Sequence, residues 1–256
     1  MKGLIKKFFR TVGYDVVPRR WSEVPDYKNR GFDRDFVPLY ERCRPFTMTS
    51  AEKMFALWRA VNYLAANRVD GAFVECGVAA GGSMMMAALT ALAKGNAERD
   101  IWLYDTYAGM PEPTQRDVNY RGDDARKQWA SSEREGFNEW CFASLESVRR
   151  NLASTGYPND RLHFVVGRVE DTIPANMPDQ IALLRLDTDW YVSSKHELVH
   201  LYPRLCSGGV LIIDDYSYWE GCRQATDEFF QTLAGSVPLL NRIDRLGVIA
   251  VKPARL

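Results

Sequence analysis

The chain has 256 residues, 46% of them hydrophobic and 26% charged, which is ordinary globular composition with enough length to enclose a sizeable core. Lys plus Arg and Asp plus Glu number 33 each, so no net field draws the protein to nucleic acid or to an anionic membrane. Five widely spaced cysteines, Cys43, Cys76, Cys141, Cys206 and Cys222, follow neither zinc-site nor disulfide-framework spacing, which fits a reducing cytoplasm.

Residues 1–50 read as an N-terminal cap segment, where Pro18, Pro25, Pro38 and Pro45 interrupt a charged and aromatic stretch. Its opening, MKGLIKKFFRTVGYDVVPRR, has no long apolar core before a small-residue cleavage site, so it is not a secretion signal. It is expected to be a short amphipathic helix packed on the domain or on a second subunit rather than on a membrane. Residues 51–256 read as a single domain. The run from Cys76 to Ala93 carries no charge, yet its glycines and serine mark a strand, a turn and a helix rather than a membrane span.

From Phe73 onward short apolar runs alternate with longer amphipathic ones: AFVECGV, GGSMMMAALTALAKG, DIWLYDTY, then a helical stretch around residues 138–155. The rhythm continues through RLHFVVG, IALLRLD, a helix over 195–205, GGVLIIDDY and a helix over 223–233. Such alternation predicts an α/β domain with a mostly parallel, Rossmann-like sheet. PLLNRID and RLGVIAVKP close it as an antiparallel pair. Residues 107–136 break the rhythm with a polar, charged sequence placed just after a strand end, the position of a lid.

In FVECGVAAGGS a buried strand ends at an acidic residue and a glycine, and two further glycines open a helix. Glycines let backbone approach a ligand closely, and a helix N-terminus presents unpaired N–H groups. The spacing matches neither the dinucleotide fingerprint nor a phosphate loop, which favours a cofactor without phosphate, such as S-adenosylmethionine. Glu75, Cys76, Gly77 and Ser83 of this junction are assigned to it, with Glu75 meeting the cofactor ammonium directly or through water. Asp105, ending the next strand, is placed to accept the ribose hydroxyls. For Asp105 the competing reading is a turn cap; for the glycine turn it is a tight strand-to-helix connection.

Two successive apolar strands end in aspartate pairs, Asp187 and Asp189 in LLRLDTDWY, Asp214 and Asp215 in VLIIDDY. Parallel strands bring these ends to one rim, where four carboxylates repel unless a hard divalent cation joins them. Asp187, Asp214 and Asp215 are the expected ligands and Asp189 the expected base. Either of the first pair can reach the metal, so the roles of Asp187 and Asp189 can exchange. Such a cation would activate an alcohol or sugar hydroxyl near neutral pH. Aspartates after strands also serve as helix and turn caps. Trp129, Trp140, Tyr191, Tyr218 and Trp219 fall near the expected mouth.

The segments PFTMTSAEKMFALWRAVNYL, GAFVECGVAAGGS, WLYDTYAGMPEPT, VGRVEDTIP, LLRLDTDWYVSS and LYPRLCSGGVLIIDDY together resemble the macrocin O-methyltransferase family. The resemblance implies a class I methyltransferase fold, S-adenosylmethionine as methyl donor, Mg2+ at the aspartates, a mobile lid, a sugar hydroxyl on a natural product or a cell-surface saccharide as acceptor, and a homo-oligomer, a dimer. It also implies that Thr49 and Ser50 lie near the amino-acid end of the cofactor, that Glu75 and Gly77 line it, and that Val169 and Glu170 border the adenine. The chain departs from many members at Ala79-Ala80. The rival readings are a catechol-type O-methyltransferase and a metal-dependent hydrolase.

Overall fold

A computed structural model of the chain describes residues 31–233 and 237–254. The chain forms two compact units, residues 1–38 and 39–256. Of the first only the end is described, a turn leading into helix α1 (Phe36–Cys43); the expected amphipathic helix at the N-terminus lies outside the described residues.

The second unit is an α/β domain. Ser50 opens α2 (Ala51–Ala66) by accepting the Lys53 N–H, a side-chain cap on a helix whose apolar stripe includes Met54, Leu57, Val61 and Leu64. Strand β1 (Ala72–Cys76) follows, buried along its whole length, then α3 (Gly82–Ala93) and β2 (Ile101–Asp105). The expected lid region is not structureless: it carries α4 (Ala125–Ser132) and a small hairpin, β3 (Glu133–Arg134) with β4 (Phe137–Asn138). Next come α5 (Leu145–Ala153), β5 (Leu162–Val166), α6 (Val169–Thr172), β6 (Ile181–Leu186) and α7 (Tyr191–Leu201). The chain finishes with β7 (Leu205–Ile213), α8 (Glu220–Gln231), β8 (Asn241–Arg242) and β9 (Val248–Val251).

The seven-stranded sheet runs β5-β2-β1-β6-β7-β9-β8. The first five strands are parallel and β9 is antiparallel to both neighbours, as the alternation and the closing pair predict. The helix expected around 138–155 is shorter, because Asn138 pairs in the hairpin and Ser144 caps the helix at Leu145. The helices expected over 195–205 and 223–233 each begin earlier, directly after the turns that carry Asp189 and Tyr218.

Successive strand residues face opposite sides of the sheet. Val74, Cys76, Leu184, Leu186, Leu211 and Ile213 join Leu198 and Leu201 of α7 and Phe229 and Phe230 of α8 in one apolar core; α2 packs on the sheet through β6 and β7. Strand order reverses between β1 and β6, which are neighbours although β1 connects to β2 on its other side. Such a switch point opens a crevice at the carboxyl ends of the strands, and there the glycine turn after β1 meets the aspartate turn after β6. Among the described residues no helix is long and apolar enough to cross a membrane.

Candidate active site

The crevice holds a cavity of about 540 Å³, within the size range of small-molecule sites. Thr49, Ser50, Gly77, Ser83 and Asp105 line it on the glycine-turn side, and Val169 and Glu170 come in from α6. Asp187, Asp189, Asp214 and Asp215 line it as well, so the cavity gathers residues up to 200 positions apart in sequence (Phe46 to Leu246) around one space.

Glu75 and Cys76, expected at the cofactor, are not among the residues that line the cavity. Both are fully buried. Sheet register sets Glu75 of β1 directly beside Arg185 of β6, and the Arg185 Nη1 donates to Glu75 Oε1 at 2.6 Å. The carboxylate is thus engaged inside the sheet rather than turned to the rim. Burial nevertheless pushes its pKa up to about 7 against the pull of Arg185. Burial also raises the Cys76 thiol well above its ordinary value, so it is no nucleophile at neutral pH.

The glycines of this turn also make room for other chain segments. At Gly77, which has φ of +83°, an added Cβ would overlap the carbonyl oxygen of Asp187. At Gly82 it would fall 2.6 Å from the Phe46 carbonyl oxygen. The turn is glycine-rich because other chain segments lie against it, and Gly81 and Gly82 do not line the cavity. Asp105 does line it, and its carboxylate caps the same turn: Oδ2 accepts the N–H groups of Val78 and Ala79 at 2.7 and 3.0 Å, and Oδ1 accepts that of Tyr107 at 2.7 Å. The capping role weighed for this residue is therefore present alongside its position on the cavity.

One oxygen each of Asp187, Asp214 and Asp215 lie within 4.8 Å of one another, close enough for a single cation. Two cationic side chains, neither of them anticipated from the sequence, reach the cluster. Lys53 Nζ donates to Asp214 Oδ2 at 2.5 Å. Arg185, itself buried, binds Asp214 Oδ1 at 2.5 Å, Asp187 Oδ2 at 2.8 Å and, besides Glu75, the Thr49 hydroxyl at 3.1 Å. A lone arginine within the apolar run LLRLD was the available signal; its partners were not visible. These cations hold Asp214 below the ordinary carboxylate range against its burial. Burial and the neighbouring carboxylates raise Asp187 and Asp215 well above that range and push Asp189 up to about 7.

Among the described residues five non-glycines have positive φ, and three of them, Ala79, Cys141 and Asp189, line this space, the clustering expected of strained backbone at a functional site. Trp140, Tyr218 and Trp219 line the cavity; Trp129 and Tyr191 do not. Trp129 donates its indole N–H to the Met110 carbonyl, and the Tyr191 hydroxyl donates to Glu228. Part of residues 107–136, the expected lid, is fastened beside the cavity. The Trp190 indole donates to Pro111 O at 2.9 Å, and buried Asp117 accepts the Tyr191 N–H at 2.8 Å and the Thr114 N–H and hydroxyl at 2.6 and 2.8 Å. Asp244, which accepts the Ser50 hydroxyl at 2.8 Å, and Leu246 also line the cavity; nothing in their local sequence announces this, because the turn between β8 and β9 reaches the rim only through the sheet.

The sequence profile of the macrocin-O-methyltransferase (TylF) family matches residues 15–252. The chain belongs to the macrocin-O-methyltransferase family. It is 31% identical, over 96% of its length and 89% of the relative's, to the 8-demethyl-8-(2,3-dimethoxy-alpha-L-rhamnosyl)-tetracenomycin-C 4'-O-methyltransferase of Streptomyces olivaceus. It is 32% identical, over 79% of its length and 76% of the relative's, to the mycinamicin III 3''-O-methyltransferase of Micromonospora griseorubida. The solved structure of the O-methyltransferase NovP matches with a TM-score of 0.68 at 29% identity, covering 82% of this chain and 83% of that one. The calicheamicin methyltransferase CalS11, 15% identical with a TM-score of 0.57 over 86% of this chain and 93% of that one, shares the fold. The macrocin-O-methyltransferase membership, the class I methyltransferase fold and O-methyl transfer expected from the sequence are borne out; catechol-type transfer and hydrolysis are not favoured.

Proposed function

We propose that this enzyme transfers the methyl group of S-adenosylmethionine to a sugar hydroxyl of a small-molecule glycoside, with Mg2+ held by Asp187, Asp214 and Asp215. The observation that carries the reading is the meeting of those three carboxylates, within 4.8 Å of one another, in the cavity that the glycine turn also borders. Two cations, Lys53 and Arg185, face five carboxyl groups there: Glu75, Asp187, Asp189, Asp214 and Asp215. The donor set is deficient in positive charge and made of hard oxygens, which suits a divalent cation of the Mg2+ type. Asp214 keeps free lone pairs for it, since Lys53 and Arg185 occupy two of about four.

When bound, the cation would lower the pKa of an acceptor hydroxyl and hold it in place. S-adenosylmethionine, when bound, would supply the methyl group to the acceptor oxygen, and Asp189 would take the hydroxyl proton on its carboxylate. Its left-handed backbone, φ +69°, turns it away from the strand direction of Asp187, and a pKa near 7 is matched to a base working at neutral pH. Thr49, Ser50, Gly77, Ser83 and Asp105 border the space for the methyl donor, and Val169 and Glu170 the space for its adenine. The aromatic side chains of Trp140 and Tyr218 flank the acceptor. Residues 107–136 act as the lid that closes over both.

The relatives support the sugar: their names assign them a rhamnosyl-tetracenomycin and mycinamicin III. The test is transfer of labelled methyl from S-adenosylmethionine to rhamnosyl and other deoxysugar glycosides, with a catechol as control, before and after EDTA and after adding back Mg2+. Sugar methylation that EDTA abolishes and Mg2+ restores is expected. Catechol turnover without sugar turnover refutes the acceptor, indifference to EDTA refutes the metal, and failure to bind S-adenosylhomocysteine in calorimetry refutes the donor.

A further inference from the structure

Glu197 lies in the middle of α7 and is completely buried. Its Oε1 accepts the Thr188 hydroxyl at 2.8 Å, its Oε2 has no hydrogen-bond partner, and the Cys76 side chain adjoins it. Among the described residues no lysine, arginine or histidine pairs with it. A buried carboxyl with no cationic partner costs free energy. The carboxyl stands where the two turns that build the site touch. Cys76 ends β1 just before Gly77, and Thr188 separates Asp187 from Asp189. The Asp187 N–H donates to the Cys76 carbonyl at 2.8 Å, and Gly77 is so close to Asp187 that no Cβ fits between them.

Thr188 is held from two sides. Its carbonyl accepts the Trp190 N–H at 2.8 Å and the Ser193 hydroxyl at 3.3 Å, and its side chain is tied down to Glu197. With Thr188 fixed at both ends, the directions of the flanking Asp187 and Asp189 carboxylates follow. We propose that Glu197 is a positioning residue: through Thr188 it fixes the aspartate turn in the geometry that binds the divalent cation. The inference rests on the metal reading given above. Burial pushes the Glu197 carboxyl well above its ordinary pKa, and glutamine keeps a side-chain oxygen that can accept the Thr188 hydroxyl.

The test is Mn2+ affinity, read by electron paramagnetic resonance on the full chain, with S-adenosylhomocysteine affinity and thermal midpoint measured beside it. Thr188→Val and Glu197→Met, which delete the bond from either side at nearly constant volume, are expected to weaken Mn2+ binding about tenfold or more, the usual effect of losing an outer-shell partner. Thr188→Ser and Glu197→Gln, which keep it, are expected to bind within about twofold of wild type by the same reasoning. S-adenosylhomocysteine affinity should stay level throughout. The inference is overturned if wild type binds Mn2+ and Thr188→Val binds it equally well, or if Glu197→Gln is as weak as Glu197→Met. A wild-type chain that binds no Mn2+ removes the metal reading itself, a separate failure visible before any variant is made.

Discussion

Replacing Arg185 with methionine should destabilise the fold more than any other single change at the site. Its guanidinium binds Glu75, Asp187 and Asp214 at 2.6, 2.8 and 2.5 Å and is 2% exposed. Lys53 still covers Asp214 in the variant, so the carboxylates left without a cation are Glu75 and Asp187. Breaking a buried ion pair by removing one partner costs about 3–5 kcal/mol. In a domain of this size each kcal/mol moves the midpoint about 2–4 °C, so thermal unfolding in EDTA at pH 8 should fall by about 6–20 °C. Adding Glu75→Gln removes one of the stranded charges and should recover part of the loss, a coupling that a double-mutant cycle measures. The pH dependence has a definite sign. A carboxyl whose pKa is higher folded than unfolded destabilises the fold above that pKa and ceases to do so once protonated. Glu75 already stands at about 7 with Arg185 present and rises further without it, so the gap between variant and wild type should narrow from pH 8 to pH 5. A midpoint within 2 °C of wild type, on the order of half a kcal/mol, would refute the reasoning, as would a double variant no more stable than Arg185→Met.

Asp189→Asn should lower kcat by about 10²–10⁴, the range for loss of a general base, with S-adenosylhomocysteine affinity retained; an unchanged kcat returns the base to Asp187. Asp215→Asn should weaken Mn2+ binding about tenfold or more in a direct titration, and an unaltered affinity excludes it as a ligand. Gly77→Ala meets both a positive φ and the Asp187 carbonyl; it should cost about 1–3 kcal/mol in denaturant unfolding, and a neutral substitution shows that the two turns separate easily. Asp117→Ala removes the carboxylate that joins Thr114 to the start of α7; hydrogen exchange of residues 111–124 should accelerate while the β-sheet amides stay protected, and unchanged exchange means the lid is fastened elsewhere.

The readings that hold up rest on local pattern. The alternation of apolar runs located the five parallel strands, and the residues at or directly after their ends, Asp105, Asp187 and Asp214, were therefore legible as members of one rim. The Asp-x-Asp and Asp-Asp pairs stood out because two successive strands ended alike. The misread positions are those whose role depends on a neighbouring segment. The glycine turn was read as room for a ligand or as a tight connection, and what its Gly81 and Gly82 pack against, Leu152 and Phe46, was not visible. Helix α7 starts four residues before its expected beginning because Asp117, 74 positions away, caps it at Tyr191.

Glu75 and Arg185 mark the boundary most sharply. The amino-acid sequence by itself determined that the first is the acid near the end of β1 and the second the lone charge in β6, because strand identity and strand ends are properties of neighbouring residues. Tertiary structure alone decided that these two, 110 positions apart, stand side by side. That pairing ties Glu75 to Arg185 inside the sheet and makes Arg185 the shared cation of the aspartates. The physical reason is sheet register: a strand's face follows from alternation along the chain, but its partner follows from crossover connections and packing that no local pattern encodes.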